Sequence, residues 1–172
     1  PKPQAAEPKE AAPQMPKPGA EHAVLAKEQG AWDATVEIRM GPPGAPPQFS
    51  KGVETATICC GGLWLLTDFK SDPTVQPFQG HGVVGYDPAK QKYVAMWVDS
   101  EITRPMTSEG TWDPAGKTLT MRGETTGPDG KKMAFREVTV WKDDNTRQFT
   151  MYLQAADGKE SPGLLISYTR KQ

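Results

Sequence analysis

The chain lacks a charge imbalance, long apolar runs and most of the residues that make reactive or metal centres. Basic and acidic side chains nearly cancel, at 20 against 21. A general nucleic-acid binder needs a basic surface to displace counterions, so that class is disfavoured. The same balance disfavours a polybasic membrane anchor. No apolar run approaches the roughly 18 residues of a spanning helix; the longest, Ile58 to Leu66, is broken by Gly61 and Gly62. Two histidines, His22 and His81, and two cysteines make no His-x-His or Cys-x-x-Cys spacing, so no metal site is expected. No glycine cluster leads into a helix, as a phosphate loop requires. Cys59 and Cys60 are adjacent. A bond between neighbours needs a strained ring, so two free thiols are expected, one facing inward and one outward as on a strand.

What is abundant is turn chemistry: 17 Gly and 17 Pro in 172 residues. Residues 1–19 are mostly Pro, Ala, Lys, Glu and Gln. That composition cannot bury enough apolar surface to offset ordering, so a disordered leader is expected, followed by one domain over 20–172. The chain opens on Pro1 rather than Met, which reads as a processed or truncated form. The leader reads as a tether left after signal removal, and hence as a sign of export to the periplasm or beyond. Ala20 to Gln29 reads as a short helix stopped by Gly30 and packed as a lid on the domain.

After Gly30 the period changes to two. Trp32, Ala34, Val36, Ile38 and Met40 share one face, and Asp33, Thr35, Glu37 and Arg39 the other. Nine more strands are expected at Phe49–Cys59, Leu63–Lys70, Gly80–Tyr86, Lys92–Asp99, Pro105–Trp112, Thr118–Gly123, Lys132–Trp141, Arg147–Gln154 and Leu164–Lys171. Asp87-Pro88-Ala89 and Asp113-Pro114-Ala115 repeat one type I turn signal. Pro128 to Lys131, Asp157 to Lys159, Lys142 to Asn145 and Gly61-Gly62 mark further reversals. Ten short strands with no intervening helix exclude a parallel sheet. They predict an all-β chain, a single closed antiparallel up-and-down barrel with a short N-terminal helix; an open sandwich is the alternative, since strand count alone does not decide closure.

Gly30-Ala31-Trp32 after the helix and Arg170 near the end resemble the calycin signature of lipocalins and fatty-acid-binding proteins. That likeness implies that Trp32 plugs the closed barrel end and Arg170 packs across its ring, with Gly30 as the structural turn. The stretches from Met15 to His22, Ser50 to Thr55, Phe78 to Gly82, Gly85 to Pro88, Ser108 to Gly110 and Phe149 to Tyr152 are similar to the bacterial domain-of-unknown-function family 1579. This resemblance spans almost the whole chain from Met15. It implies a bacterial, often exported barrel without an established activity. Haem-binding barrels resembling nitrobindin use a histidine late in the chain. None follows His81 here, so no haem or other cofactor is expected.

Charges on otherwise apolar stripes are the candidate interior groups: Glu54 with Ala56 and Ile58, Asp68 with Trp64 and Leu66, Asp99 with Tyr93 and Trp97, Arg136 with Ala134 and Val138. Buried charges need partners, and Glu54 with Arg136 is the expected pair. The functional expectation is a small, largely apolar molecule in the interior, its acidic group held by Arg136. Trp32, Trp64, Trp97, Phe135 and Tyr152 would form the walls. The alternative is an internal ion pair in a filled barrel that serves as a scaffold or protein-interaction module, with the leader or the loop Gly41–Pro47 as a docking segment. An interior volume of roughly 300 Å³ would favour the ligand. Asp68, Asp99 and Glu109 could supply paired carboxylates for an enzyme, but Ser108-Glu109-Gly110 lacks a nucleophile-elbow context. The balance leans away from catalysis.

Overall fold

The computed structural model describes residues 15–41, 44–74, 77–126, 130–155 and 157–172. Most of the leader, part of the Gly41–Pro47 loop and the Pro128–Asp129 turn signal lie outside these residues. The described chain forms α1 (His22–Ala26) and ten strands: β1 (Gly30–Ile38), β2 (Gln48–Cys59), β3 (Trp64–Ser71), β4 (Gln79–Asp87), β5 (Lys92–Asp99), β6 (Met106–Asp113), β7 (Thr118–Thr126), β8 (Lys132–Trp141), β9 (Thr146–Gln154) and β10 (Glu160–Arg170). Each strand pairs antiparallel with the next, and β1 also pairs with β10, so the sheet closes into a barrel. Closure removes the open edges that a long twisted sheet would otherwise expose.

The helix is shorter than the expected Ala20–Gln29. On either side of it the backbone makes i→i−3 bonds, from His22 N–H to Gly19 and from Gln29 N–H to Ala26 among them. The last turns tighten because a helix this short has few carbonyls to share. It is held by its apolar side: Val24 and Leu25 are buried with Ala56, Leu65, Tyr93, Leu119, Met121 and Trp141. The Tyr93 hydroxyl donates to the Glu21 carbonyl at 3.0 Å. Burial first, then Glu21 and Tyr86, push its pKa up to about 12. The expected lid is therefore present, and it seals the end where β1 begins.

Turn chemistry divides the two ends. At the helix end the strands are joined by short turns at 60–63, 88–91, 114–117 and 142–145. Asp87 Oδ1 accepts from the Ala89 N–H, and Asp113 Oδ1 from the Ala115 N–H. Both turns then end on a residue with positive φ, Gln91 at 54° and Lys117 at 46°. At the far end the connections at 39–47, 72–78 and 100–105 are longer. β10 starts earlier than expected because Pro162-Gly163 sits in a bulge, where proline need not donate to the ladder. Cys60 also departs from the strand rule. Its φ of 53° turns it off β2, so the two free thiols lie on the same side with Sγ atoms 3.2 Å apart.

Gly30 has a structural task at the start of β1. Its φ is 127°, and a Cβ there would stand 2.8 Å from Arg170 Nη1. Replacing it with alanine should cost about 1–3 kcal/mol, the range for a strained backbone position. Urea unfolding of Gly30→Ala checks this; an unchanged midpoint would show that the start of β1 tolerates a side chain.

Candidate functional site in the barrel lumen

Register fixes which side chains enter the lumen. Trp32 pairs across to Glu54 on β2 and to Arg170 on β10. Following the pairs around the wall brings Leu65, Thr67, Phe69, Gly82, Trp97, Ser108, Gly123, Phe135, Arg147 and Tyr168 to the inner face. The candidate residues therefore separate. Trp32, Glu54 and Phe135 are buried inside, with Trp97 and Asp99 on the inner face towards the far end. Gly80 and Gly82 carry no side chain: the Trp97 ring occupies the space a Cβ on Gly80 would need, and Thr67 Oγ1 the space of one on Gly82. Asp99 Oδ2 accepts from the Trp97 indole at 2.8 Å.

Trp64, Asp68, Arg136 and Tyr152 lie on the outer wall, contrary to expectation. Trp64 is 36% exposed, because Leu65 takes the inward position beside it. Asp68 pairs with His81 Nδ1 at 2.5 Å outside the barrel. Arg136 stacks 4.0 Å from the Tyr152 ring and bonds Glu160 at 2.5 Å. The expected Glu54–Arg136 pair does not form, since Phe135 holds the inward place on β8 and neighbours on a strand point oppositely. Glu109 also faces out, to Lys90 and Lys92. The three carboxylates weighed for catalysis are thus not brought together.

The partner of Glu54 is Arg147, a residue not singled out from sequence. Arg147 bonds Glu54, lies 3.7 Å from Glu28 and is 3% exposed. Its guanidinium stacks 3.8 Å from the Tyr168 ring and 4.8 Å from Trp32. Tyr168 donates its hydroxyl to Glu54 Oε2 at 3.0 Å. Burial alone would lower the Arg147 pKa, but Glu28 and Glu54 override it and raise it. Burial raises the Glu28 pKa against the pull of Arg147. Arg170 completes this end: it stacks 4.1 Å from Trp32 and donates to the carbonyls of Lys27, Gln29 and Asp144.

A second inward carboxyl stands apart. Glu137 projects from the middle of β8, paired across to Met121 and Met151. Ser108 donates its hydroxyl to Glu137 Oε2 at 2.9 Å. Burial raises the Glu137 pKa, partly offset by that hydroxyl. Phe149, Met151 and Glu137 are all inward and mid-strand, yet only half-buried. These side chains are less tightly covered than Trp32 and Leu65 at the helix end. Two furrows of about 570 and 360 Å³ are lined mainly by outward-facing residues, Lys90, Glu109 and Arg122 in one and Trp64 and Met96 in the other; they meet at Val94 and Ala95, and Ser108 and Gly123 border the larger.

A family model for proteins of unknown function, DUF1579, matches residues 17–170. The chain belongs to the DUF1579 family. A search of curated proteins finds no match. Among solved structures, this DUF1579 barrel is similar to Rv2717c from M. tuberculosis, with a TM-score of 0.64 at 10% identity, covering 90% of this chain and 99% of that one. It is also similar to the S-type phycobiliprotein lyase CPES from Guillardia theta, with a TM-score of 0.59 at 11% identity, covering 88% and 93%. Likeness at this identity describes the closed-barrel frame and not the contents of its lumen.

Two outcomes follow for this DUF1579 barrel. Arg147→Ala leaves Glu54 buried without its cation and should cost about 3–5 kcal/mol. Arg136→Ala breaks a wall-surface pair and should cost at most about 1 kcal/mol. Chemical denaturation of both checks the contrast; equal losses would refute the assignment of the buried pair. Separately, a raised folded pKa means that folding favours protonated Glu137. Its favourable contribution is complete below the unfolded value near 4.5 and is lost as pH rises through the folded value. Glu137→Gln should therefore raise the thermal midpoint at neutral pH, with the gain shrinking towards acid. A gain that is independent of pH would count against this.

Proposed function

We propose that the barrel binds a small, largely apolar molecule in the half of its lumen away from α1. The observation that carries this is the half-buried state of Phe149 and Met151, which face inward from the middle of β9. They are less covered than Trp32 and Leu65 near the helix, and than Phe69 and Phe135 on the same inner face. Trp97, Met106, Met133 and Leu164 share this inner surface and are half-buried too. Methionine is unbranched and polarizable, so such a wall adapts to the shape of its occupant.

The polar groups of the lumen alter the kind of ligand. The acidic molecule expected from sequence relied on Arg136, which faces outside. Arg147 faces inside but is engaged by Glu54 and Glu28. The polar groups beside the open half are Glu137, Ser108 and Asp99, which favour a ligand that donates hydrogen bonds. One structural relative is a phycobiliprotein lyase, so the frame itself is compatible with catalysis. In this chain the candidate carboxylates are dispersed, and binding is the reading the lumen supports. Export, suggested by the leader composition, belongs to the same proposal.

Native mass spectrometry of the full protein purified from its own host should show an added small-molecule mass. Met151→Trp, which fills the lumen beside Glu137, should abolish that mass while circular dichroism keeps the β signature. A bare protein mass from the wild type, or an adduct indifferent to Met151→Trp, would refute the lumen as the binding site.

A further inference from the structure

We propose that Glu137 and Ser108 form the recognition point for a cationic amine carried on an apolar body. This deepens the lumen reading and rests on it. Glu137 enters the lumen from mid-β8, with Phe135 and Thr139 on the same face. Ser108 reaches one carboxyl oxygen, Oε2. Among the described residues, no group donates a hydrogen bond to the other oxygen. Its neighbours across the ladder, Met121 and Met151, cannot donate one.

The charge balance inside the barrel points the same way. Glu54 and Glu28 are met by Arg147 at the helix end. Arg136 and Arg122 lie outside with Glu160, Lys132 outside with Glu124, and Lys90 and Lys92 outside with Glu109. None of these cations is directed at Glu137. A carboxyl kept in an apolar wall without a counter-ion is unfavourable for the empty protein. An ammonium group removes that penalty by a charge-assisted hydrogen bond. The Phe135, Phe149 and Trp97 rings on the same inner surface present faces that attract cations. A ligand carboxylate would instead meet a like charge, or would have to share a proton with Glu137.

Naphthylmethylamine, naphthylmethanol and naphthoic acid share one ring system and differ in head group. Calorimetric titration of the full chain at neutral pH should rank them amine, then alcohol, then acid. Glu137→Gln should weaken the amine by about tenfold or more, as expected for a lost charge-assisted bond. It should leave the alcohol within about threefold. Met151→Trp should weaken all three. Equal affinities, an acid that binds best, or an amine preference that survives Glu137→Gln would overturn the head-group assignment and leave the lumen reading standing. Failure of every probe to bind, or binding unaffected by Met151→Trp, would overturn the lumen reading and this assignment with it.

Discussion

The guanidinium of Arg170 can lie against the Trp32 ring only because the last strand returns beside the first. That contact marks the point where the barrel closes. It fixes the β1–β10 register, with Trp32 opposite Arg170 and Ala34 opposite Tyr168. That register places Tyr168 inward, beside Glu54, and so brings Arg147 to the same point. A guanidinium over an indole contributes about 0.5–2 kcal/mol, too little to drive folding alone. Its role is positional. It ties the helix end together through the carbonyls of Lys27 and Gln29, which also aligns Trp32 to donate its indole N–H to Glu28.

The interior then divides by how its charges are satisfied. Near α1 a cation, two carboxylates and a tyrosine hydroxyl are packed with aromatic rings, and little exposure remains. Such a cluster is costly to break but need not add net stability over an apolar replacement. In the observed register it leaves neither Glu54 nor Arg147 without a partner. In the opposite half, polar groups are sparse and apolar side chains, aromatic rings and methionines among them, line the wall. In the proposed reading, one end of the lumen holds the shape and the other meets the ligand.

The architecture was legible in the sequence because turn residues and period-two alternation are local signals. Asp-Pro-Ala marked two reversals that the structure closes in the same way, and Gly30-Ala31-Trp32 located the start of the barrel. Which face of a strand turned inward was less legible. Alternation reveals two faces but names the inner one only when the other is polar. On β1 it is: Asp33, Thr35 and Glu37 oppose Trp32 and Ala34. On β8 both faces are apolar, with Ala134, Val138 and Val140 against Met133, Phe135 and Trp141. The smoother stripe drew Arg136 inward and hid Glu137. On β3, Trp64 and Leu66 looked like core beside Leu65, yet they form part of an exposed apolar patch with Met96 and Val98. Parity is set by pairing, which is long-range. Arg147 became visible as a core residue only once β9 was registered against Trp141 and Tyr168.

The lumen, more than the frame, must carry what distinguishes this chain. At 10–11% identity the two solved relatives share the barrel path, and a path can be kept with almost any set of inner side chains of suitable volume. A carboxyl in mid-wall is a poor choice for volume alone. Glutamine would keep the shape and the Ser108 hydrogen bond without the ionisation penalty, and methionine would match the neighbours across the ladder. Glu137 therefore lowers the stability of the empty barrel at neutral pH. Such a group is consistent with a protein whose working state has something in the lumen, because an occupant that pairs with the carboxylate recovers in binding what folding gives up.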